Sequence, residues 1–167
     1  MSQSKLAITL GQFSSAGDKA ENQDFHGALQ PEGDDLSTKG IACAIADGIS
    51  TSRRGAEAAE IAVKSFLTDY YCTSEGWSVR SSGERVIGAT NSWMHAQNAR
   101  NRPREEGENR EAAGLICTLS ALVFKSRAAH IFHIGDGQIM RLSGLDAGSA
   151  GDVLTTPHRV SLGGGSS

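Results

Sequence analysis

Helix-period patterning occupies one continuous part of this chain, and strand-period patterning brackets it on both sides. From Ser50 onward, Ala59, Ala62, Val63, Phe66, Leu67 and Tyr70 recur at the spacing of one helix face, with Ser50, Thr51 and Ser52 as candidate caps. Val86, Thr90, Trp93, Met94 and Gln97 repeat that spacing on a second helix, which has to stop before Pro103. The aromatic and methionine side chains of this second face read as core. Upstream, Leu6, Ile8 and Leu10 alternate across 5–13 as in a half-buried strand, a short strand follows at 25–29, and PEGDDLSTKG reads as the hairpin connection to a buried strand at 40–46. Downstream, LICTLSALVF at 115–124 is apolar on both faces. AAHIFHIGDGQIMRL predicts two strands joined at the turn Gly135-Asp136-Gly137, and DVLTT begins a last strand. Two consecutive helices between two sets of strands exclude an alternating βαβ chain. They predict an α+β fold with antiparallel sheets.

Composition removes several classes of function. A length of 167 residues suits a single domain over 1–167 with a real core. The net charge is −3 and the basic residues are dispersed, so neither nucleic acid nor an anionic membrane is expected as a partner. The apolar runs are too short for a membrane span, and the amino terminus MSQSKLAITL lacks a signal-peptide pattern, which makes the cytoplasm the expected location. Cys43, Cys72 and Cys117 are odd in number and far apart; they read as buried free thiols. The charged stretch NRPREEGENREAAG has no period and reads as a solvated loop. His130 and His133, three apart on a strand, belong to opposite faces and cannot share a metal without a bulge, so they and His95 read as structural.

The carboxylates carry the chemistry. Asp47 ends the buried run IACAIA, Asp136 lies in a turn after another apolar run, and Asp24 directly precedes a strand. Each alone is a common turn residue. If the strands align in one sandwich, the three converge on one rim. Oxygen-only ligation suits the hard cations Mg²⁺ and Mn²⁺, and two such ions can clamp a phosphoryl group and turn water into a nucleophile.

Taken in order, DKAENQD, IACAIADG, two helices, CTLSALVF, HIGDGQIMRL and LTTPHR resemble the metal-dependent type 2C protein serine/threonine phosphatases, in particular the bacterial members. The resemblance implies a four-layer α/β/β/α sandwich of two antiparallel sheets flanked by helices. It implies two Mn²⁺ or Mg²⁺ ions held by Asp24 and Asp47, with Asp47 bridging them and the Gly48 carbonyl as a further ligand, and a third, weaker ion at Asp136. The implied reaction is hydrolysis of phosphoserine and phosphothreonine proteins by a hydroxide bridging the two ions. A cognate or fused serine/threonine kinase is the implied partner.

The pattern also departs from the family. Lys19 stands where an arginine usually grips the substrate phosphate; it keeps the charge and loses the two-pronged geometry. Gln23 replaces a common glutamate, and its amide can still hold a metal-bound water. Ile49 and Ser50 follow Asp47-Gly48, without the histidine that some eukaryotic members use as general acid, so leaving-group protonation falls to water. Family members continue beyond the LTTPHR-like segment into a helix and strands bearing two more metal aspartates, so the expectation is a fragment of a longer phosphatase. The alternative is a catalytically incomplete phosphoprotein-binding or regulatory module of the same fold.

Overall fold

The computed structural model describes residues 6–100, 114–142 and 151–158. Its elements run β1 (Asp24–Leu29), α1 (Gly33–Thr38), β2 (Ile41–Asp47), α2 (Gly55–Cys72), α3 (Val79–Arg100), β3 (Leu119–Lys125), β4 (Ala128–Ile134), β5 (Met140–Arg141) and β6 (Asp152–Val153). Strands β1 to β4 form one antiparallel sheet in the order β1-β2-β3-β4, and β5 pairs with β6 in a second, two-stranded antiparallel sheet. The expected α+β architecture, antiparallel sheets with flanking helices, is what the chain adopts.

Alternation along β2 divides the four-stranded sheet into two unlike faces. Ala42, Ala44 and Ala46 point toward the helices and are buried against Ala58, Ala59, Ala62, Val63 and Phe66 of α2. Alanine on alanine lets the helix lie close to the strand. Bulk comes from Phe66, Tyr70, Val123 and Phe132, each contributing about 1.5–3 kcal/mol by burial where the side chain is large and apolar. Helix α3 adds Val79, Val86 and Met94 to the same core. The opposite face carries His26, Cys43, Ile45, Ser120 and Leu122, beside the segment Leu10–Phe13. Ile45 on this face is 50% exposed.

The far end of α2 is tied by polar contacts. The Tyr70 hydroxyl donates to the Lys39 carbonyl at 2.9 Å, and the Lys39 ammonium donates to Thr73 Oγ1 at 2.7 Å and to the Ser74 carbonyl at 3.0 Å. A buried lysine thus ties the residues just past the end of α2 to the start of β2, where the helix dipole favours a cation. Burial pushes the Lys39 ammonium down, with the charge of Lys125 as a smaller cause, and burial pushes the Tyr70 phenol up to about 12.

Several expectations are corrected. Residues 6–13 form no strand, because their alternating pattern finds no partner strand among the described residues; Phe13 is 90% exposed. The connection PEGDDLSTKG contains the short helix α1. Helix α2 starts at Gly55 rather than near Ser50, and Arg54 at its cap position makes no side-chain capping bond. Ser52 is buried instead, and its hydroxyl donates to the Gly114 carbonyl. On α3, Met94 is core but Trp93 is 47% exposed, because the buried face runs through Val79, Ser82, Gly83 and Val86. The tight hairpin is between β3 and β4 at Ser126-Arg127, not at Gly135-Asp136-Gly137. At Gly135, with φ +111°, the chain leaves the sheet, and β5 pairs with β6 rather than with β4. Cys72 is exposed, whereas Cys43 and Cys117 are half-buried; all three are free. The charged stretch at 101–113 lies outside the described residues.

The α3–sheet contact is tightest at Gly83, where an added Cβ would stand 2.3 Å from Cζ of Phe132. Alanine is a better helix former than glycine by about 1 kcal/mol. Overpacking costs about 1–3 kcal/mol. Clash and propensity therefore oppose each other, and the rigid ring decides. Gly83→Ala should destabilise the chain by about 1 kcal/mol or more net, measured as a lower urea midpoint with an unchanged slope; an unchanged or raised midpoint would contradict this packing.

Candidate active site

Asp24 opens β1 and Asp47 closes β2, and the antiparallel register sets them directly opposite each other. The Gly48 N–H donates to the Gln23 carbonyl at 3.0 Å, so the Asp24–Asp47 pair is of the narrow kind, without mutual backbone bonds. Side chains in such pairs approach most closely and lie on one face. Here that is the face away from the helices. The two carboxyl groups are near enough to share a hydrogen bond.

Both backbones are fixed. The Asp47 N–H donates to Thr118 Oγ1 at 3.1 Å, and the Thr118 N–H returns to the Asp47 carbonyl at 2.8 Å. The Asp24 N–H donates to Asn22 Oδ1 at 3.1 Å, and the Asn22 amide is held by Ser14 Oγ at 2.7 Å. Gly48 follows in an isolated bridge with Cys117, held by the bonds on either side of it. A Cβ on Gly48 would stand 2.2 Å from the Gly55 carbonyl carbon, so only glycine lets the first turn of α2 settle on the strand end. That places the positive end of the helix dipole beside Asp47. Gln23 braces the same corner, its amide donating to the Ser52 carbonyl at 3.1 Å.

A cavity of about 550 Å³ opens at this corner, lined among others by Lys19, Asp47, Gly48, Thr118, Asp136 and His158. Four of the six residues singled out from sequence thus share one cavity wall or floor. Asp24 faces Asp47 from the neighbouring strand, and Gln23 lies behind as a brace. Thr118 and His158 were not foreseen. A threonine in an apolar run reads only as a strand former, and the histidine of LTTPHR carried a motif but no role. His130 and His133 fall on opposite faces as expected: His133 pairs with Ser120 and His130 with Val123.

Charge in the cavity is unbalanced. The Asp47 carboxyl is pushed up from its ordinary value, first by burial, then by the hydrogen bond and charge of Asp24; Asp136 adds to this, and Lys19 opposes it. Burial, helped by the Asp47 charge, pushes the neighbouring Cys117 thiol up to about 11, so it stays protonated and inert near neutral pH.

Residues 13–159 match the sequence pattern of protein phosphatase 2C. The chain belongs to the protein phosphatase 2C family. Its fold is similar to that of the serine/threonine phosphatase PstP/Ppp of Mycobacterium tuberculosis, at 21% identity and a TM-score of 0.57, covering 83% of this chain and 49% of that one. A bacterial serine phosphatase bearing an arginine-to-glutamate substitution is similar at 13% identity and a TM-score of 0.64, covering 88% of this chain and 60% of that one. The chain therefore spans about half to three fifths of these two structures. No curated protein matches it.

Does the donor set of this family member suit a metal? Magnesium binds through one or two carboxylates and keeps several waters, so the facing oxygens of Asp24 and Asp47 suit one hard cation. Like charges directly opposite on a sheet repel, and a cation between them relieves this. Among the described residues, no group of three or more His, Cys, Asp or Glu side chains could hold a metal ion. A second ion needs ligands beyond that pair.

An Asp47 carboxyl pushed up in the folded state contributes stability below its unfolded value, and that contribution is lost as pH rises through the folded one. In chelator, the contribution of Asp47 should therefore be lost as pH climbs above the ordinary value of 3.8, against the opposite contribution of Glu57, whose carboxyl Arg54 holds down. Asp47→Asn should remove this slope and stabilise the metal-free chain at pH 7 by about 0.2–1 kcal/mol, the range of a cross-strand pair. Urea unfolding at pH 4 and pH 7 checks it; a less stable variant at pH 7 would refute the repulsion.

Proposed function

We propose that residues 1–167 form part of a metal-dependent protein serine/threonine phosphatase domain that hydrolyses phosphoserine and phosphothreonine. The observation carrying this reading is the facing pair of Asp24 and Asp47, the second of which lines a cavity together with Lys19 and Asp136. Family membership supports the same chemistry.

In this reading Asp24 and Asp47 hold the cations, the Gly48 carbonyl is a further donor, and Asp136 serves a weaker third position. When bound, two Mn²⁺ or Mg²⁺ ions supply charge neutralisation and a hydroxide from water. The Lys19 ammonium faces the substrate phosphate as a point charge. Gln23 keeps the strand end and the loop before α2 in register rather than meeting substrate. Attack on phosphorus is in line with the departing serine or threonine oxygen, and no phosphoenzyme forms.

A kinase whose products this activity reverses is the natural partner, and the cytoplasm is the matching compartment. Three free thiols and the absence of any disulfide among the described residues suit a reducing compartment. No helix among the described residues is long and apolar enough to cross a membrane.

A second reading follows from a different observation. Among the described residues the carboxylate cluster stops at two close members, and Lys19 grips less firmly than an arginine would. This suits a module that binds phosphoproteins through one cation without turning them over.

With Mn²⁺, the chain should hydrolyse p-nitrophenyl phosphate; chelator should abolish this, and Asp47→Asn should lower kcat by at least about 10²-fold. Lys19→Arg should lower KM by about 2–10-fold with little change in kcat, because the fork orients the phosphate without joining the chemistry. Calorimetry with a phosphothreonine peptide separates the readings: stoichiometric uptake without turnover favours the module, and full activity in Asp47→Asn would sink the site assignment.

A further inference from the structure

We propose that His158 is the proton donor to the departing serine or threonine oxygen. The proposal rests on the phosphatase reading above and assigns a step that the sequence left to water.

Three hydrogen bonds carry His158 to the cavity and hold it there. The Leu154 N–H donates to the Ile139 carbonyl at 2.7 Å, the Ile139 N–H to Thr155 Oγ1 at 3.1 Å, and the His158 N–H to the Gly135 carbonyl at 2.7 Å. The first two clamp the segment at 151–158 onto the chain after β4. The third fixes His158 to the residue before Asp136, so its backbone is set by the same turn that sets that carboxylate.

The imidazole is held as well. It lies over the His133 ring with centroids 5.5 Å apart and planes 25° from parallel. His133 is itself oriented, its Nδ1 standing 2.9 Å from the hydroxyl of Ser120, a buried residue. One face of His158 therefore packs on a positioned ring, while the residue lines the cavity with Lys19, Asp47 and Asp136. Of the side chains lining it, Lys19 is the remaining nitrogen donor, and a lysine ammonium serves the phosphate oxygens as a fixed charge. Imidazole is the side chain most often used for proton transfer in catalysis.

The step balances as follows. A water oxygen forms a bond to phosphorus and gives up one proton to solvent; the bond from phosphorus to the serine or threonine oxygen breaks, and its electron pair stays on that oxygen. His158 gives its ring proton to that oxygen, releasing the free hydroxyl side chain, and later regains a proton from solvent. Inorganic phosphate is the other product.

Two measurements test this. In the first, inorganic phosphate and Mg²⁺ are titrated into the chain while imidazole and amide signals are followed by NMR. Movement of the His158 ring with the Lys19 and Asp47 amides supports the proposal. Movement of those amides with a still His158 ring overturns it and leaves the phosphatase reading intact, whereas no movement anywhere overturns both. In the second, His158→Ala and His158→Gln are assayed on two substrates. Loss of the donor should lower kcat on a phosphothreonine peptide by about 10²-fold or more. On p-nitrophenyl phosphate, whose leaving group is a stable anion, kcat should fall much less. Equal losses on both substrates, or none, overturn the proton-donor role. The glutamine variant retains a hydrogen-bond donor and distinguishes lost proton transfer from a misfolded cavity.

Discussion

Everything at the site depends on how closely α2 lies on β2. The alanines at 42, 44 and 46 and those at 58, 59 and 62 remove the bulk that would hold helix and strand apart. The approach ends at Gly48 against Gly55, where no side chain fits between the two backbones. Because Gly48 follows Asp47, the same contact that closes the core fixes the strand end and sets the helix dipole beside the carboxylate. A helix placed even one methyl group farther out would leave Asp47 on a frayed end. Core packing and the placement of Asp47 are therefore one constraint.

The opposite face of β2 shows what that rigidity is used for. Two like-charged side chains are held in the close, non-hydrogen-bonded position of an antiparallel pair, an arrangement that disfavours the fold by itself. Proteins store such cost where function needs it. A flexible pair would swing apart into solvent. Here the backbones at least are fixed, that of Asp47 by Thr118 at its N–H and carbonyl and that of Asp24 by Asn22 at its N–H. A cation placed between the two carboxylates would relieve the repulsion, which is why the proposed function puts one there.

Much of this was legible in the sequence, and the limits are physical. Local periodicity showed the two helices, the buried run at 41–46 and the order of elements, because burial on one face writes a repeat into the chain. Asp47 stood out as a charge at the end of an apolar run. The convergence of Asp24 and Asp136 on it is a matter of register, which no local pattern encodes; their places at strand ends raised it as a condition, and the family resemblance added Lys19. Errors cluster where a partner decides the outcome. Residues 6–13 alternate like a strand but have no strand to pair with among those described. Ser52 has the composition of a cap, and its oxygen accepts the Arg54 N–H at 3.1 Å, yet its proton goes to the buried Gly114 carbonyl and the helix starts only at Gly55. Gly135-Asp136-Gly137 has the composition of a hairpin, yet β4 ends there and Ser126-Arg127 makes the turn.

His158 shows the same limit from the functional side. Its neighbours in sequence are threonine, proline and arginine, and nothing in that context marks it as chemical. Its position follows instead from pairing at a distance: β6 joins β5, the segment beyond is clamped through Ile139 and Gly135, and the ring comes to rest on His133. His133 in turn is oriented by Ser120 on the strand next to β2. A chain of contacts thus runs from the strand beside β2 and Asp47 to the far wall of the cavity. One wall thus comes from the ends of β1 and β2 in the four-stranded sheet and the other from the segment that follows β6 in the two-stranded sheet, so that Asp47 and His158 line a common space.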